Sequence, residues 1–395
     1  MGEQPLAGVT VLDFGQIYNG PYAGYLLAMS GARVIKVESP LGEGLRGATG
    51  SESFPFTMLN GLKETITINL KSEAGRELVV GLAKRADVLL ENFRPGTMDK
   101  FGVGAQALLK ANPRLVYAAS TGYGSSGPHR DYLAMDITVQ AMSGVVSITG
   151  NDGEPPLKSG PALCDMLGGI HLYATIVSAL YRREQTGKGA VIDVAMQDSV
   201  LPTLASALGA YYRFGGTNPP RTGNRHQALG VAPYNLYPCS DGHVAIICVR
   251  DGHWRKLTDL MGRPEMVDDP RFADKQTRAE HMEETDAAVE AWTSSLTKDE
   301  VFRFCQAGGV PCAPVQSLDD VVNDPHLHAR GALHRATHPV FGDVVVPTTA
   351  LRIRDVEPPT PQFPRKLGQD NVAVYGEFFG HSEQDVQALK EQGAI

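Results

Sequence analysis

Residues 8–14, GVTVLDF, and residues 33–38, RVIKVE, decide the fold. Both are short apolar runs of strand-forming residues, and the stretch between them, 21–29 (PYAGYLLAM), is helix-like, so together they read as a β-α-β unit. The alternation continues with a strand at 65–70 (TITINL), a helix at 72–85, a strand at 87–93 (DVLLENF) and a strand at 114–120 (RLVYAAS). Strands joined by helices through short turns predict an α/β fold, with a Rossmann-like large domain whose mostly parallel sheet is covered by helices. Helices near 136–146 and 166–183, a strand at 190–194 and a helix at 198–212 extend it.

The texture then changes. Residues 213–227, RFGGTNPPRTGNRHQ, are rich in Gly, Pro and Asn and read as a linker. A strand at 243–249, helices around Trp254 and Asp286 and a helix at 298–305 predict a smaller α+β domain over 228–329. Paired strand signals between about 330 and 368 and a last amphipathic helix read as a return linker and the C-terminal part of the large domain, 330–395, whose N-terminal part is 1–212. A chain of 395 residues favours two domains on length alone, and 42% hydrophobic with 20% charged residues is an ordinary globular composition.

Five cysteines without a CxxC pair argue against a disulfide framework and against a thiolate zinc site. With no basic and apolar leader at the start, a cytoplasmic protein without a signal peptide is the expectation. The longest apolar run, 166–181, is interrupted by His171 and falls short of a membrane span, so no membrane partner is expected. A net charge of −8 with no basic block repels nucleic acid.

Two patterns fail on context. Gly122-Tyr-Gly-Ser-Ser-Gly127 matches GxGxxG, but Pro128-His129-Arg130 follows where a dinucleotide site would open a helix, and the motif sits on the fifth strand; a turn needing backbone freedom is the better reading. His326, His328, His334 and His338 crowd together without the Cys or carboxylate spacing of a metal site, and solvated loop histidines are expected, with no metal.

Several pieces in order resemble the class III CoA-transferases, the CaiB/BaiF group that includes formyl-CoA transferase and succinyl-CoA-dependent dicarboxylate transferases. They are Val11-Leu-Asp-Phe14, Gly20-Pro21, Gly31 through Glu38, Glu91-Asn-Phe-Arg-Pro-Gly96, the stretch through Gln140 and Gly144, Leu163-Cys-Asp-Met-Leu-Gly-Gly169, and Gly187 through Val194. The resemblance implies an interlocked, ring-like homodimer with active sites between large and small domains, acyl-CoA and a small carboxylic acid as substrates, and an aspartate nucleophile in an Asp-x-x-x-Gly context, here Asp165 with Gly169. On pattern alone Asp165 would be a helix N-cap, and the two roles are compatible. An ordinary Asp, with a pKa near 3.9, is ionised at neutral pH and needs no activating base. Gly168 and Gly169 would let backbone N–H groups approach an oxyanion, or would simply allow close helix contact.

For CoA the resemblance implies Gln16, Ile17, Tyr18 and Asn19 after the first strand, Leu70, then Asn92 and Phe93, with Lys100 where the family often has an arginine facing the phosphates. Ser39 and Leu133 replace an arginine and a lysine of formyl-CoA transferase, which makes Lys36, Arg46 and Arg94 the alternative cations. The stretch 223–230 sits where that enzyme has a glycine-rich covering loop, and Arg225 or His226, with Arg46, would pair with a distal substrate carboxylate. Two other functions compete. An acyl-CoA racemase of the same fold would need His before the Asp of Met135-Asp136, and Met takes no proton. A catalytically silent CoA-binding protein would have no use for Asp165.

Overall fold

The computed structural model describes residues 4–46 and 53–395. The first of two compact units, Met1–Ser143 with Gly160–Leu201 and Asp324–Ile395, is built on a six-stranded sheet. Its strands are β1 (Thr10–Asp13), β2 (Arg33–Glu38), β3 (Glu64–Thr67), β4 (Val88–Glu91), β5 (Val116–Thr121) and β6 (Ala190–Ala195), in the order β3-β2-β1-β4-β5-β6, every pair parallel. The expected α/β architecture is therefore present, with strands trimmed by a few residues at their ends.

Both faces of the sheet are covered. Leu12, Ile35, Ile66, Leu89 and Tyr117 point to one core, while Val11, Val34, Val88, Val116 and Ile192 point to the other. The period of two distributes each strand's apolar residues to opposite sides, which is why these strands read as unbroken apolar runs.

Up to the long helix that carries Asp165, the helices in chain order are α1 (Asn19–Met29), α2 (Phe54–Asn60), α3 (Glu73–Ala83), α4 (Thr97–Lys100), α5 (Ala105–Ala111), α6 (Asp136–Met142), α7 (Val145–Ile148), which belongs to the second unit, and α8 (Leu163–Thr186). By length and hydropathy α8 could cross a membrane. Its Leu172, Ile176 and Leu180 are instead buried in the second sheet core, and its Arg183 pairs with Asp87 at 3.0 Å, as befits an internal helix. The helix expected at 198–212 is broken into Met196–Val200, a 3-10 turn and Ala205–Arg213; Pro202 cannot donate to a continuous ladder.

The edge strand β3 is closed by the chain's return. Asp370 Oδ2 accepts from Thr65 N at 2.8 Å, Asn371 Oδ1 accepts from Thr67 N at 2.9 Å, and Tyr375 donates to Thr67 O at 2.6 Å. These side chains occupy backbone groups that an open edge would leave free. The expected single terminal helix is two, Asn371–Phe379 and Glu383–Glu391.

The second unit, Gly144–Ser159 with Pro202–Asn323, holds an antiparallel sheet of β7 (Tyr234–Cys239), β8 (Gly242–Ile247) and β9 (Cys312–Pro314) packed on helices through Trp254, Leu257, Val289 and Val301. In the first unit β10 (Leu333–His338) and β11 (Gly342–Pro347) form a hairpin. The histidine crowd is not a solvated loop: His334 and His338 lie on β10, and His338 is buried against Phe341 and Phe363 with Nδ1 accepting from Val340 N. Among the described residues no three potential metal ligands cluster.

Asn371→Ala should lower stability by roughly 1–2 kcal/mol, because it leaves the Thr67 N–H without its acceptor. Urea unfolding of the variant would check this, and an unchanged midpoint would refute the edge-closing role.

Candidate functional site

The strand order reverses beside β1: the chain moves from β1 to β2 and β3 on one side, then returns to β4, β5 and β6 on the other. In open parallel sheets such a switch point leaves a crevice at the carboxyl ends of the two central strands, and ligands bind there. The loops leaving β1 and β4 carry Gln16 to Asn19 and Asn92 to Gly96, and the structure ties them together. Asn92 Oδ1 accepts from Gln16 N at 2.7 Å and Asn92 Nδ2 donates to Gln16 O at 2.8 Å.

Asp165 enters the same neighbourhood from α8. Asn19 Nδ2 donates to Asp165 O at 3.3 Å, across the contact between α1 and α8. Glycine is required at that contact: a Cβ on Gly168 would lie 2.2 Å from Asn19 Nδ2, and one on Gly169 would lie 2.8 Å from Asn19 O. These two glycines are interior to α8, where their N–H groups belong to the helical ladder. The oxyanion role expected for Gly168 and Gly169 is therefore corrected to close helix packing.

Asp165 is not the N-cap of α8 either. Ala162 holds that position, and Asp165 sits in the first turn. The orphan N–H groups there are taken by Asp136, whose Oδ1 accepts from Cys164 N at 2.8 Å and Asp165 N at 3.1 Å, while its Oδ2 accepts from Gln140 Nε2 at 2.6 Å. Asp136 thus does the capping from α6, a role that spacing in the chain could not reveal. The Asp165 carboxylate makes no hydrogen bond or ion pair among the described residues, although Asp165 is only 9% exposed. Burial, and secondarily the Asp136 charge, push it up to about 7. The expectation of an ordinary acid ionised without reservation at neutral pH is corrected accordingly.

Two proposed cations are also corrected. Lys36 lies on a strand buried on both faces and donates from Nζ to Gly15 O at 2.7 Å, so it cannot reach a solvent-borne phosphate. Arg46 is buried against Glu38, to which Nε and Nη2 both donate, and its guanidinium lies over the Phe56 ring. It is a structural ion pair rather than a substrate ligand. Arg94 and Lys100 remain exposed, Arg94 donating to Asp131 O at 3.3 Å. Phe93 and Leu70 pack against the first sheet core. Tyr18 precedes α1, and its carbonyl accepts from Tyr22 N at 2.8 Å.

Arg225 and His226 lie in the second unit. Arg225 Nε donates to Asp286 Oδ2 at 2.9 Å, and Tyr237 and Asn235 bond the same carboxylate, so its charge is committed within that unit. His226 accepts from Ala228 N at Nδ1 and meets the Tyr234 ring edge-on. The GxGxxG stretch is a turn after β5: Gly124 and Gly127 have φ of +85° and +82°.

One more carboxylate near the crevice was missed in the sequence. Glu91, buried at the end of β4, accepts from Phe93 N at 2.7 Å and from the Tyr117 hydroxyl at 3.1 Å, and burial pushes it up to about 7.

Comparison with known proteins fits this geometry. The sequence profile described as CoA-transferase family III matches residues 6–371. The formyl-CoA:oxalate CoA-transferase of Streptomyces avermitilis is 35% identical over 409 residues, covering 99% of each chain. The acetyl-CoA:oxalate CoA-transferase of Acetobacter aceti is 38% identical over 382 residues, covering 95% of this chain and 96% of that protein. A crystal structure of a CaiB/BaiF family protein from Brucella suis superposes with a TM-score of 0.84 at 34% identity, covering 95% of this chain and all of that one.

Asp165 carries a proton between its unfolded and folded titration ranges that the unfolded chain does not, so it costs stability increasingly as pH rises from about 4 to about 7. Asp165→Asn should therefore raise the thermal midpoint at pH 8, with the gain shrinking toward pH 4. A midpoint difference independent of pH would contradict the perturbed carboxylate.

Proposed function

This chain belongs to CoA-transferase family III, and on that premise we propose that it moves CoA from an acyl-CoA to a small dicarboxylic acid through a covalent intermediate on Asp165. The observation that carries the reading is the Asp165 carboxylate itself: largely buried and without a hydrogen bond among the described residues, at a helix start beside the crevice. The raised pKa reflects lost hydration, and an oxygen with little water to shed is the better nucleophile once ionised.

In the proposed sequence an Asp165 oxygen attacks the thioester carbonyl, the C–S bond breaks, and CoA thiolate leaves a mixed anhydride. The thiolate attacks the aspartyl carbonyl, the anhydride C–O bond breaks, and the donor acid departs as carboxylate. The acceptor carboxylate then attacks the aspartyl thioester, whose C–S bond breaks to give a second mixed anhydride and free thiolate; the thiolate attacks the acceptor's acyl carbon, the anhydride C–O bond breaks, and the Asp165 carboxylate is restored. No net proton is taken up, and over the whole cycle one thioester is exchanged for another of similar energy. Oxalate in the names of both relatives supports a short dicarboxylate acceptor.

The racemase alternative loses support on two counts. Met135 takes no proton, and Asp136 is engaged by Cys164, Asp165 and Gln140, which leaves it no free role as an acid or base. A homodimer is part of the proposal. Leu133, Met135, Ile137, Tyr181 and Val191 are each more than half exposed, apolar side chains of the kind association covers.

Acyl-CoA donors incubated with a panel of carboxylic acids should give new thioesters by mass spectrometry, together with an Asp165-linked adduct. Asp165→Ala should abolish both, with a loss of at least about a thousandfold; a variant that kept transfer would end the proposal. Because only the ionised carboxylate attacks, kcat/KM should climb about tenfold per pH unit up to about 7 and then level off. Asp136→Asn should move that bend to lower pH without restoring an ordinary carboxylate, since burial is the larger cause. A bend that ignored Asp136 would belong to another group, such as Glu91, which Asp136 does not perturb.

A further inference from the structure

The loop leaving β1 is held from several directions. Asp13 Oδ1 accepts from Gly15 N at 2.7 Å and Lys36 donates to Gly15 O. Asn92 grips both backbone groups of Gln16, and Asn19 reaches the backbone of Asp165. Between them Ile17 has a φ of +65°. A β-branched residue is poorly suited to the left-handed region, because its Cβ crowds the adjoining carbonyl.

What meets the Ile17 peptide is Glu43. Its Oε2 accepts from Ile17 N at 3.1 Å, and its own N–H donates to Glu38 Oε2 at 3.2 Å, the carboxylate that also binds Arg46. Glu43 is 7% exposed, yet its Oε1 has no partner among the described residues. A buried, half-satisfied carboxylate and a left-handed isoleucine are each unfavourable alone. Here one hydrogen bond joins them, at the mouth of the switch-point crevice.

We propose that Glu43 is a positioning residue for the transfer reaction: by holding the Ile17 peptide left-handed it fixes the Gln16 to Asn19 stretch against the acyl-CoA and keeps Asn19 on the backbone of Asp165. This rests on the reading of the crevice as the CoA site. Without the clamp, Ile17 relaxes to negative φ, and the peptides on either side swing out of register with Asn92 and with α8. Glycine at 17 adopts the same φ without strain, so it removes the need for the clamp.

The test combines Glu43→Ala, Glu43→Asp, Ile17→Gly and the double variant Glu43→Ala with Ile17→Gly, read by CoA binding in calorimetry, by KM and kcat, and by thermal midpoint. Glu43→Ala should weaken CoA binding and raise KM for acyl-CoA about tenfold, the loss expected of one hydrogen bond to a charged group, while kcat falls less. Ile17→Gly should return most of that loss in the Glu43→Ala background, and Glu43→Asp should retain part of it. Unchanged CoA binding in Glu43→Ala, or a double variant no better than Glu43→Ala, would overturn the proposal. The thermal-midpoint cycle reports the clamp whether or not ligand binds: Ile17→Gly should be more favourable with Glu43 than without it, because only the clamped isoleucine is held under strain, and additive effects would also overturn the proposal. A parent chain that bound no CoA would instead remove the reading of the crevice.

Discussion

The arrangement at Asp165 depends on a second carboxylate doing a different job. Asp136 accepts the N–H groups of Cys164 and Asp165, so the first turn of α8 is satisfied from outside the helix. An aspartate in that turn would ordinarily be drawn into capping, where hydrogen bonds to its charged form lower its pKa. With the donors already taken, Asp165 receives the opposite treatment: burial without bonds, and a like charge nearby. One acid is spent on structure, and that leaves the other perturbed and without a hydrogen bond among the described residues.

The crevice has the same logic on a larger scale. Parallel strands that reverse their order beside β1 create an opening, but an opening alone does not fix a loop. The fixing is done by polar side chains from the central strands and from the neighbouring loops: Asp13 and Lys36 on β1 and β2, Glu43 after β2 and Asn92 after β4 each bond a main-chain group of the loop. Asp13 is anchored in turn by Lys63 at 2.7 Å, and both side chains are fully buried. Lys63 also donates to Pro21 O and Asn60 Oδ1, so its ammonium has three acceptors; even so, burial pulls it down to about 8 against the opposing pull of Asp13. A buried pair of this kind is weak as a source of stability, but breaking one side leaves an uncompensated charge, and that ties loop geometry to the integrity of the core.

This division explains what could be read in the sequence. Strands and their order of appearance were legible because two-sided burial writes itself as continuous apolar runs. The resemblance also marked Gln16 to Asn19 and Asn92, and the structure puts them on two loops that hydrogen-bond each other beside β1 and β4. The misreadings were charges. Lys36 within RVIKVE and Arg46 after β2 looked like available cations, because a sequence shows a charge but not its partner. The clue for Lys36 was local: a lysine flanked by Val and Ile on a strand covered on both faces has no route to water, so it must find an acceptor inside. No comparable clue existed for Asp136 and Asp165, whose link spans 29 positions and exists only after α6 meets α8. His338 was misread for a related reason: Phe341 folds back from the turn after β10, and Phe363 arrives from the return segment, so its aromatic surroundings exist only in the folded chain.

The glycines of α8 show how closely scaffold and site are bound. Gly168 and Gly169 admit α1 to within contact of α8, and that approach is what lets Asn19, the first residue of α1, reach the carbonyl of Asp165. Any side chain at 168 would strike Asn19 first, pushing away the residue that joins the crevice loop to the helix bearing Asp165. A glycine pair inside a helix is locally unfavourable, by about 1 kcal/mol per residue relative to alanine. Its place here follows from geometry rather than from any donor it offers: the bond between loop and helix requires α1 and α8 closer than Cβ atoms permit, and the position of Asp165 relative to Gln16 and Asn92 is a consequence of that approach.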